Sequence, residues 1–522
     1  MGNEEIYSYH TFMFPFKWDI QSDSFMGSID INKFNEICKK SKWKEAIFEI
    51  KSEEEYNEFI YFHDFAQRAL FSFNKSNDKS NDEFPSYYFE KKEFENKSFE
   101  LDILCKDCQN NAAYDKKYKL TIDGVSLRVF ETGVAILAIN LKNFSHRTFE
   151  DVLFINDFGR RLYPQFLSKN KDDKNKDLAE STKNAFLPRR IKFADFEDEK
   201  FEYKESQTPK ISQYIFDILG KDFQYKDFFQ SKDSQSKVYI KQLLDDRMFV
   251  ISHLMDKSKS IEISRNYQKN RDWYKYLFVD SKDLTCQNDE MRLNLINQNT
   301  YIRWLSYGTL WGISRYSFVC LSNNSDFSRT VLNQHMRRHY FQMISLVLAI
   351  RTSTIRFSDE ISKISNMKQD KNNKLQDEIS SLYKSYIKFV NRIYFREISP
   401  QEQGIELYNQ ICDVMKIHRD VKDLDDEISE LHTYASMLYE KNRNDKLEKL
   451  SMVTTYLMPA TVVFGFFGMN TFSEKFFDKP LWWLEGNLIN SNLGWTISAV
   501  ILAILGWKIF YMIFFGFDKG KK

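Results

Sequence analysis

Residues 449–470 read KLSMVTTYLMPATVVFGFFGMN, and from Ser451 to Met469 this stretch carries no charged side chain. An uncharged run of this length is close to the ~20 residues that a helix needs to cross about 30 Å of hydrocarbon. A second apolar run, residues 493–517, is interrupted only by Lys508, whose long side chain is within reach of a membrane interface. The sequence therefore predicts a first transmembrane helix at 451–471, an outer loop at 472–492 and a second transmembrane helix at 493–517.

Charges that flank the two apolar runs predict their orientation. KNRNDKLEK (441–449) precedes the first run and a basic tail, residues 518–522, follows the second. The connection between them carries three carboxylates and only two lysines: Glu474, Asp478 and Glu485 against Lys475 and Lys479. By the positive-inside rule, both termini lie in the cytoplasm and the connection lies outside. We therefore expect a multi-pass protein of the bacterial inner (plasma) membrane.

Small and hydroxyl-bearing residues of the first run share one helical face. At heptad spacing, Ser451, Met458 and Gly465 form one row, and Thr454, Thr461 and Gly468 form the adjacent row. We call these six residues the stripe; one heptad below it, the same face reaches Asn444. Such a face either packs closely against another helix or lines water. A continuous narrow lining favours the pore, and because two helices per chain cannot enclose water, several chains are required.

The residues that precede the apolar runs are very polar, and the whole chain is nearly neutral, with 75 Lys and Arg against 74 Asp and Glu. This balance gives no indication of a nucleic-acid partner. Residues 1–328 combine strand-like runs, among them a hairpin at 118–144 and a buried strand pair or strand–turn element at 307–321, with helical stretches such as 148–167. Residues 329–450 are predicted to form long helices and a stalk. The predicted fold is an α+β cytosolic domain, a long helical stalk and two C-terminal transmembrane helices.

Two patterns describe the helical region. Residues 331–364 form a long run without Pro or Gly that predicts an amphipathic helix. Apolar residues then alternate at spacings of three and four, which predicts a stalk that packs along a partner: Val414, Ile417, Val421, Leu424, Ile428, Leu431, Ala435 and Leu438. Acidic residues crowd the middle of this stalk and form either a solvated face or a divalent-cation site between subunits: Asp420, Asp423, Asp425, Asp426, Glu427 and Glu430.

The end of the first apolar run carries a Gly-Met-Asn tripeptide at residues 468–470, and a Met-Pro pair precedes it at Met458 and Pro459. Together with a short outer loop and one more span at the extreme C-terminus, this pattern resembles the CorA family of divalent metal-ion channels. The resemblance covers about the last 80 to 100 residues. It implies a homopentamer with a central pore, a cytosolic funnel and a long stalk helix, in contact with membrane lipid.

The resemblance also implies roles for individual residues. The selectivity filter falls on Gly468, Met469 and Asn470, where Asn470 holds a hydrated ion through its water shell. The implied pore lining, together with the stripe, comprises Asn444, Leu450, Ser451, Thr454, Met458, Thr461 and Gly465, with Leu450 and Met458 as hydrophobic constrictions. Magnesium keeps its waters, so a ring of neutral amide oxygens suits it. The loop that begins at Thr471 departs from the family pattern, which leaves Zn²⁺, Co²⁺ or Ni²⁺ open as alternatives to Mg²⁺.

The large N-terminal region is similar in architecture to enlarged CorA-like membrane effectors associated with type III CRISPR systems. That similarity implies antiviral signalling and a nucleotide second messenger that joins adenylate to S-adenosylmethionine (SAM-AMP). Arginines and aromatics that could hold such a ligand are Arg160, Arg161, Arg189, Arg190, Arg303, Arg315, Arg337, Arg338, Trp304 and Tyr316. His335 and His339 of HMRRH lack the Glu of a zinc-binding HExxH and are interpreted as structural.

No residue pattern in the sequence predicts catalysis. The chain contains neither a Walker-type GxxxxGK[ST] nor a GxGxxG motif. We therefore expect a channel and not an enzyme, and no catalytic residues are assigned. Two alternatives stay open: a membrane-anchored nucleotide-hydrolysing enzyme, and an effector that disrupts membranes without ion selectivity.

Overall fold

In a computed structural model, the chain forms two compact units, residues 1–431 and residues 432–522. The structure describes residues 5–20, 29–72, 84–106, 113–162, 187–200, 211–225, 237–282, 284–366, 372–468, 506 and 508. The first unit contains an extended sheet together with helices, so the predicted α+β class is confirmed. The domain limits at 328 and 450 stay predictions.

The described strands are β1 (Ser8–Ile20), β2 (Lys44–Glu45), β3 (Ser86–Glu90), β4 (Ser98–Lys106), β5 (Ala113–Phe130), β6 (Val134–Asn143), β7 (Leu187–Phe193), β8 (Glu199–Lys200), β9 (Phe223–Tyr225), β10 (Val238–Gln242), β11 (Phe249–Met255), β12 (Thr300–Tyr301), β13 (Leu310–Ile313) and β14 (Ser317–Ser322). The described α-helices are α1 (Ile31–Lys40), α2 (Glu53–Ile60), α3 (Asp64–Leu70), α4 (Phe149–Gly159), α5 (Gln213–Leu219), α6 (Lys257–Arg265), α7 (Arg271–Phe278), α8 (Asp289–Asn299), α9 (Asn333–Arg337), α10 (His339–Ser365), α11 (Asn372–Arg392), α12 (Glu402–Met415) and α13 (Ile417–Gly468).

The sheet is organised around β1. Its main path runs β12-β13-β14-β11-β1-β6-β5-β4-β7-β8, and β10 adds a second partner beside β11 along one edge of β1. Phe12, Phe14, Phe16 and Trp18 of β1 are buried, which places this strand in the main core. The predicted hairpin at 118–144 is confirmed by β5 and β6, and the predicted strand pair at 307–321 by β13 and β14.

The helix predicted over 148–167 is shorter than expected. α4 ends at Gly159, and Arg161 then forms an isolated antiparallel bridge with Arg247. A side chain at Gly159 would place its Cβ 2.8 Å from the Phe12 ring, so glycine is needed for α4 to approach β1 this closely. After Gly159 the main chain therefore leaves the helix and pairs with Arg247. The apolar spacing of residues 148–167 does not predict this contact.

The helix predicted over 331–364 is wrong in two respects. It is split at Arg338 into α9 and α10, and the first half of α10 is not amphipathic, because every residue from His339 to Ile350 is buried, whereas the second half has exposed residues such as Ile355 and Ser358. β1 and β6 contact α10, and so do α11 and α12. The segment from His339 to Ile350 is covered by the sheet and by other helices and therefore has no solvent face, whatever its polar residues. The polar side chains bond internally; Ser345 Oγ, for example, donates to Phe341 O at 2.7 Å.

The predicted stalk begins later than its apolar spacing indicates. Val414 belongs to α12, and Lys416 has a φ of 61°, a left-handed conformation that ends α12 before α13 begins at Ile417. From there the spacing of three and four is confirmed, since Val421, Leu424 and Ile428 are buried. The apolar spacing cannot reveal this break, because a single residue in the left-handed conformation leaves the spacing of the apolar residues unchanged.

The second unit is described from His432 to Gly468, all within α13, together with Gly506 and Lys508. Most of the second predicted span, the outer loop and the basic tail lie outside the described residues. So do two tracts rich in lysine, asparagine and aspartate, residues 75–82 and 169–177. Within the described part of the chain, no helix combines the length and the apolar character that a membrane crossing requires.

Two buried histidines on adjacent strands predict acid sensitivity. His10 Nδ1 lies 2.7 Å from Asn156 Oδ1 and its Nε2 lies 2.9 Å from Ser8 Oγ; His253 has the same kind of partners in Asn333 and Ser322. Burial lowers the pKa of each histidine from 6.5 to about 4. Between these values the unfolded chain binds more protons than the folded chain, so stability is complete above pH 6.5 and is lost as the pH falls toward 4, by about 3 kcal/mol per histidine.

We expect the unfolding midpoint of the purified protein to fall steeply between pH 6.5 and pH 4.5 in a urea titration. A His10→Gln/His253→Gln double variant should be less stable at pH 7.5 but should lose part of this pH dependence; the remainder comes from other buried groups such as His339, whose pKa burial lowers to about 3. The exposed His432→Gln variant should keep the dependence of the parent protein. An unchanged slope in the double variant would contradict the assignment.

Candidate ion-conduction site

The predicted pore-lining positions share one side of α13. At about 100° per residue, Asn444, Leu450 and the stripe fall within an arc of about 120°. Asn444, Leu450, Ser451, Thr454, Met458 and Thr461 are exposed on this helix. Gly465 and Gly468 belong to its last turns. Met469 and Asn470 lie outside the described residues, so the filter stays a prediction.

Threonine hydroxyls on this face are already engaged as donors. Thr454 Oγ1 donates to Leu450 O at 2.8 Å, and Thr461 Oγ1 lies 3.0 Å from Leu457 O and 2.9 Å from Met458 O. A hydroxyl that donates to its own helix retains acceptor lone pairs for an outside partner. The waters around a cation direct their hydrogens outward. The stripe therefore offers acceptors that suit a hydrated cation.

Large apolar side chains are exposed on all sides of this helix segment, both on the predicted lining face and away from it. They do not share one face, as one packed seam would require: Met437, Tyr439, Leu447, Leu450, Tyr456, Leu457 and Met458. Met458, for example, is 65% exposed. Exposed apolar side chains spread around a helix in this way suit contact with another chain or with lipid.

The first turns of α13 are held by aromatic hydroxyls. Tyr386 donates to Asp425 Oδ1 at 2.8 Å, and Tyr394 Oη lies 2.8 Å from His418 Nδ1. Asp420 pairs with Arg419 at 2.7 Å. Among the described residues, no group of three or more His, Cys, Asp or Glu side chains is placed to hold a metal ion within one chain. The alternative cation site between subunits stays a prediction.

Helix α12 connects α13 to the edge of the sheet. Arg303 Nη1 donates to Glu406 Oε1 at 2.6 Å and Nη2 donates to Glu402 Oε2 at 3.1 Å. The Tyr301 hydroxyl also donates to Glu406, and hydrogen bonds from Tyr301 and then Arg303 lower the pKa of Glu406. Only Lys416 separates α12 from α13. A change at these contacts therefore acts on the element that directly precedes the predicted pore helix.

Most of the predicted ligand-binding arginines have partners within their own chain. Arg160 and Arg161 are buried beside Asp157, with nitrogen–oxygen distances of 3.7 and 3.5 Å, and burial lowers the pKa of Arg160 to about 10. Arg315 offers its carbonyl to Arg351 Nη1 at 2.6 Å, and Arg351 lies over the Tyr316 ring. Ion pairs hold Arg189 to Asp115, Arg190 to Glu100, Asp102 and Asp198, Arg337 to Asp123, and Arg338 to Glu54 and Glu58.

Sequence reasoning missed the contact between residues 301–304 and α12. Trp304 Nε1 donates to Gln403 Oε1 at 3.1 Å, across 99 residues of sequence. Local periodicity carries no information about partners at that separation. His335 and His339 lie with ring centroids 4.6 Å apart, and burial lowers the pKa of His339 to about 3.

Comparison with known proteins connects this helix to a family. The model of the CorA-like Mg²⁺ transporter protein family matches residues 251–513, just over half of the chain. The match begins within β11 and includes α12 and α13. Neither a curated protein nor a solved structure matches the chain. Members of this family are homo-oligomeric membrane transporters and channels for Mg²⁺ and other divalent cations, not enzymes. The chain belongs to the CorA-like Mg²⁺ transporter family.

Proposed function

We propose that this protein is a homopentameric Mg²⁺ channel whose conduction is gated by the large domain that precedes the pore helix. The single observation that carries the proposal is the face of α13 formed by the stripe. It presents engaged hydroxyls with free acceptor lone pairs, and it lies on a helix inside the region that matches the family. Asn470, directly after this helix, selects the hydrated ion at the outer mouth, with both chain termini in the cytoplasm of a bacterial plasma membrane.

The proposed gating rests on the pairing of β1, which lies outside the family match, with β11, where the match begins. The first 250 residues lie outside the family match, yet β1 pairs with β11 inside it. A ligand that alters residues 1–250 therefore alters structure that belongs to the transporter region. We propose a nucleotide second messenger of the SAM-AMP type as the trigger and a type III CRISPR antiviral effector as the biological role.

Ion flux into liposomes tests this proposal. Purified full-length protein is reconstituted with a Mg²⁺-sensitive dye inside the vesicles, and flux is measured with and without SAM-AMP. We expect saturable Mg²⁺ entry that the nucleotide increases, and no passage of a large dye. Co²⁺, Ni²⁺ and Zn²⁺ in place of Mg²⁺ define the selectivity.

Three results would contradict the proposal. Intact oligomers without flux of any divalent ion, with or without nucleotide, would exclude a channel. Leakage of the large dye would favour a membrane-disrupting effector. Nucleotide hydrolysis that survives removal of residues 451–522 would favour the membrane-anchored enzyme.

A further inference from the structure

A cavity of about 600 Å³ opens between the last turn of α6 and the turn that follows β12. Its volume falls in the range of small-molecule sites, which is roughly 300–1,000 Å³. The lining combines aliphatic, hydroxyl and guanidinium groups: Ile261, Ser264, Arg265, Ile302, Arg303, Leu305, Ser306 and Gly308. Among these described lining residues there are two arginines and no carboxylate, so the cavity favours an anion.

Two lining groups have unused hydrogen-bonding capacity. Arg265 is exposed and, within the described part of the chain, forms no ion pair. Ser264 Oγ is buried and has no hydrogen-bond partner among the described residues. A buried hydroxyl without a partner costs free energy. Arg265 and Ser264 are adjacent in sequence and line the same cavity.

The second lining arginine, Arg303, is held in place by contacts with other residues of the chain. Arg303 lies over the Trp304 ring at 5.8 Å and donates to Glu402 and Glu406 through Nη1 and Nη2. A guanidinium group carries five N–H donors, so further donors are available to a ligand. The two carboxylates nevertheless reduce the attraction of Arg303 for an anion.

The turn beside the cavity is held in place, and two of its aromatic residues, which are not among the lining residues, are exposed. Ser260 Oγ donates to Gly308 O at 2.6 Å, and Gly308 has a φ of 73°, a conformation that favours glycine. Trp304 and Tyr307, in the same turn, are exposed, with ring centroids 6.2 Å apart. Aromatic and isoleucine surfaces suit the planar or apolar part of a ligand, whereas the guanidinium groups suit its phosphate.

We infer that this cavity is a regulatory binding site for a phosphorylated ligand with an aromatic ring, a mononucleotide or a compound that contains one. This inference rests on the proposed gating and names its site. A phosphate that engages Arg303 competes with Glu402 and Glu406 for the same guanidinium group. Because these carboxylates lie on α12, the ligand alters the contact that holds the helix preceding α13.

Equilibrium dialysis of radiolabelled AMP against the full-length protein in detergent tests the site without measuring flux. We expect Arg265→Gln to weaken AMP binding about tenfold, the effect of losing one charge-assisted hydrogen bond. Arg303→Gln should also weaken it. Glu402→Gln should strengthen it severalfold, because one competing negative charge is removed. These opposite signs separate ligand recognition from general damage to the contact with α12.

The matched control is Arg68→Gln, which removes an exposed arginine outside the cavity and should leave binding unchanged. Adenosine and inorganic phosphate, tested separately, should each bind more weakly than AMP, because adenosine lacks the phosphate group and inorganic phosphate lacks the aromatic ring. Equal binding by Arg265→Gln and Arg68→Gln, or weaker binding by Glu402→Gln, would overturn the inference. So would the absence of saturable AMP binding to folded protein.

Flux measured in parallel distinguishes the two proposals. AMP binding that requires Arg265, in a protein that conducts no ion, would support the site and overturn the channel. Conduction in liposomes without any AMP binding would support the channel and overturn the site.

Discussion

Replacement of Asn470 by alanine is expected to reduce Mg²⁺ flux to the level of protein-free liposomes. A hydrated Mg²⁺ ion exchanges its waters slowly, so a filter that selects it must bind the water shell with neutral acceptors. The side-chain amide of Asn470 supplies such an acceptor in each subunit, and alanine supplies none. The measurement is the initial rate of dye-detected Mg²⁺ entry at several external concentrations.

The matched control is Asn490→Ala, which removes an asparagine from the predicted outer loop and not from the predicted filter. It should conduct as the parent protein does. Both variants should migrate as intact oligomers on size exclusion, so that loss of flux reports the filter and not assembly. Normal flux in Asn470→Ala, or an equal loss in both variants, would exclude the predicted filter.

A Met458→Asn variant is expected to conduct without ligand. Met458 is one of two predicted hydrophobic constrictions, and such constrictions close a pore by excluding water. An amide at this position holds water in the constriction. Removal of a barrier of about 1.4 kcal/mol raises the rate tenfold, so ligand-free Mg²⁺ entry should rise on the order of tenfold.

Met452→Asn provides a matched control for this change. It is the same substitution less than two turns earlier, about 120° away around α13 from Met458. It should leave ligand-free flux low, because its position is outside the predicted lining. Equal leakage from both variants would show that an amide anywhere on the helix disturbs the membrane segment, and the constriction at Met458 would then be wrong.

The sequence predicted the elements whose signal is local. The alternation in residues 118–144 indicated the β5–β6 hairpin, and the spacing of Val421, Leu424 and Ile428 indicated one buried face of α13. The Gly-Met-Asn tripeptide at 468–470 indicated the family. In each case the residues that form the pattern are close together in the sequence, within one or two neighbouring helices or strands.

Features that depend on distant partners were not predictable. The polar residues of α10 indicated a solvent face, but β1, β6, α11 and α12 cover the helix from several sides. Arg190 and Arg337 were interpreted as ligand-binding candidates because a sequence cannot show that Asp102, Asp198 and Asp123 lie beside them. The cavity next to Arg265 was missed because it joins α6 to a turn about forty residues later.

The central place of β1 in the sheet has a consequence for protein synthesis. One edge of β1 pairs with β6, which the ribosome completes at Asn143, but the other edge waits for β10 and β11, which end at Met255. At about 5–20 residues per second, that edge stays open for several seconds to tens of seconds after β6 is made. An open strand edge is a template for wrong pairing. We therefore expect the nascent chain to depend on chaperones until residue 255 emerges, and a fragment confined to the family-matched region to aggregate during expression.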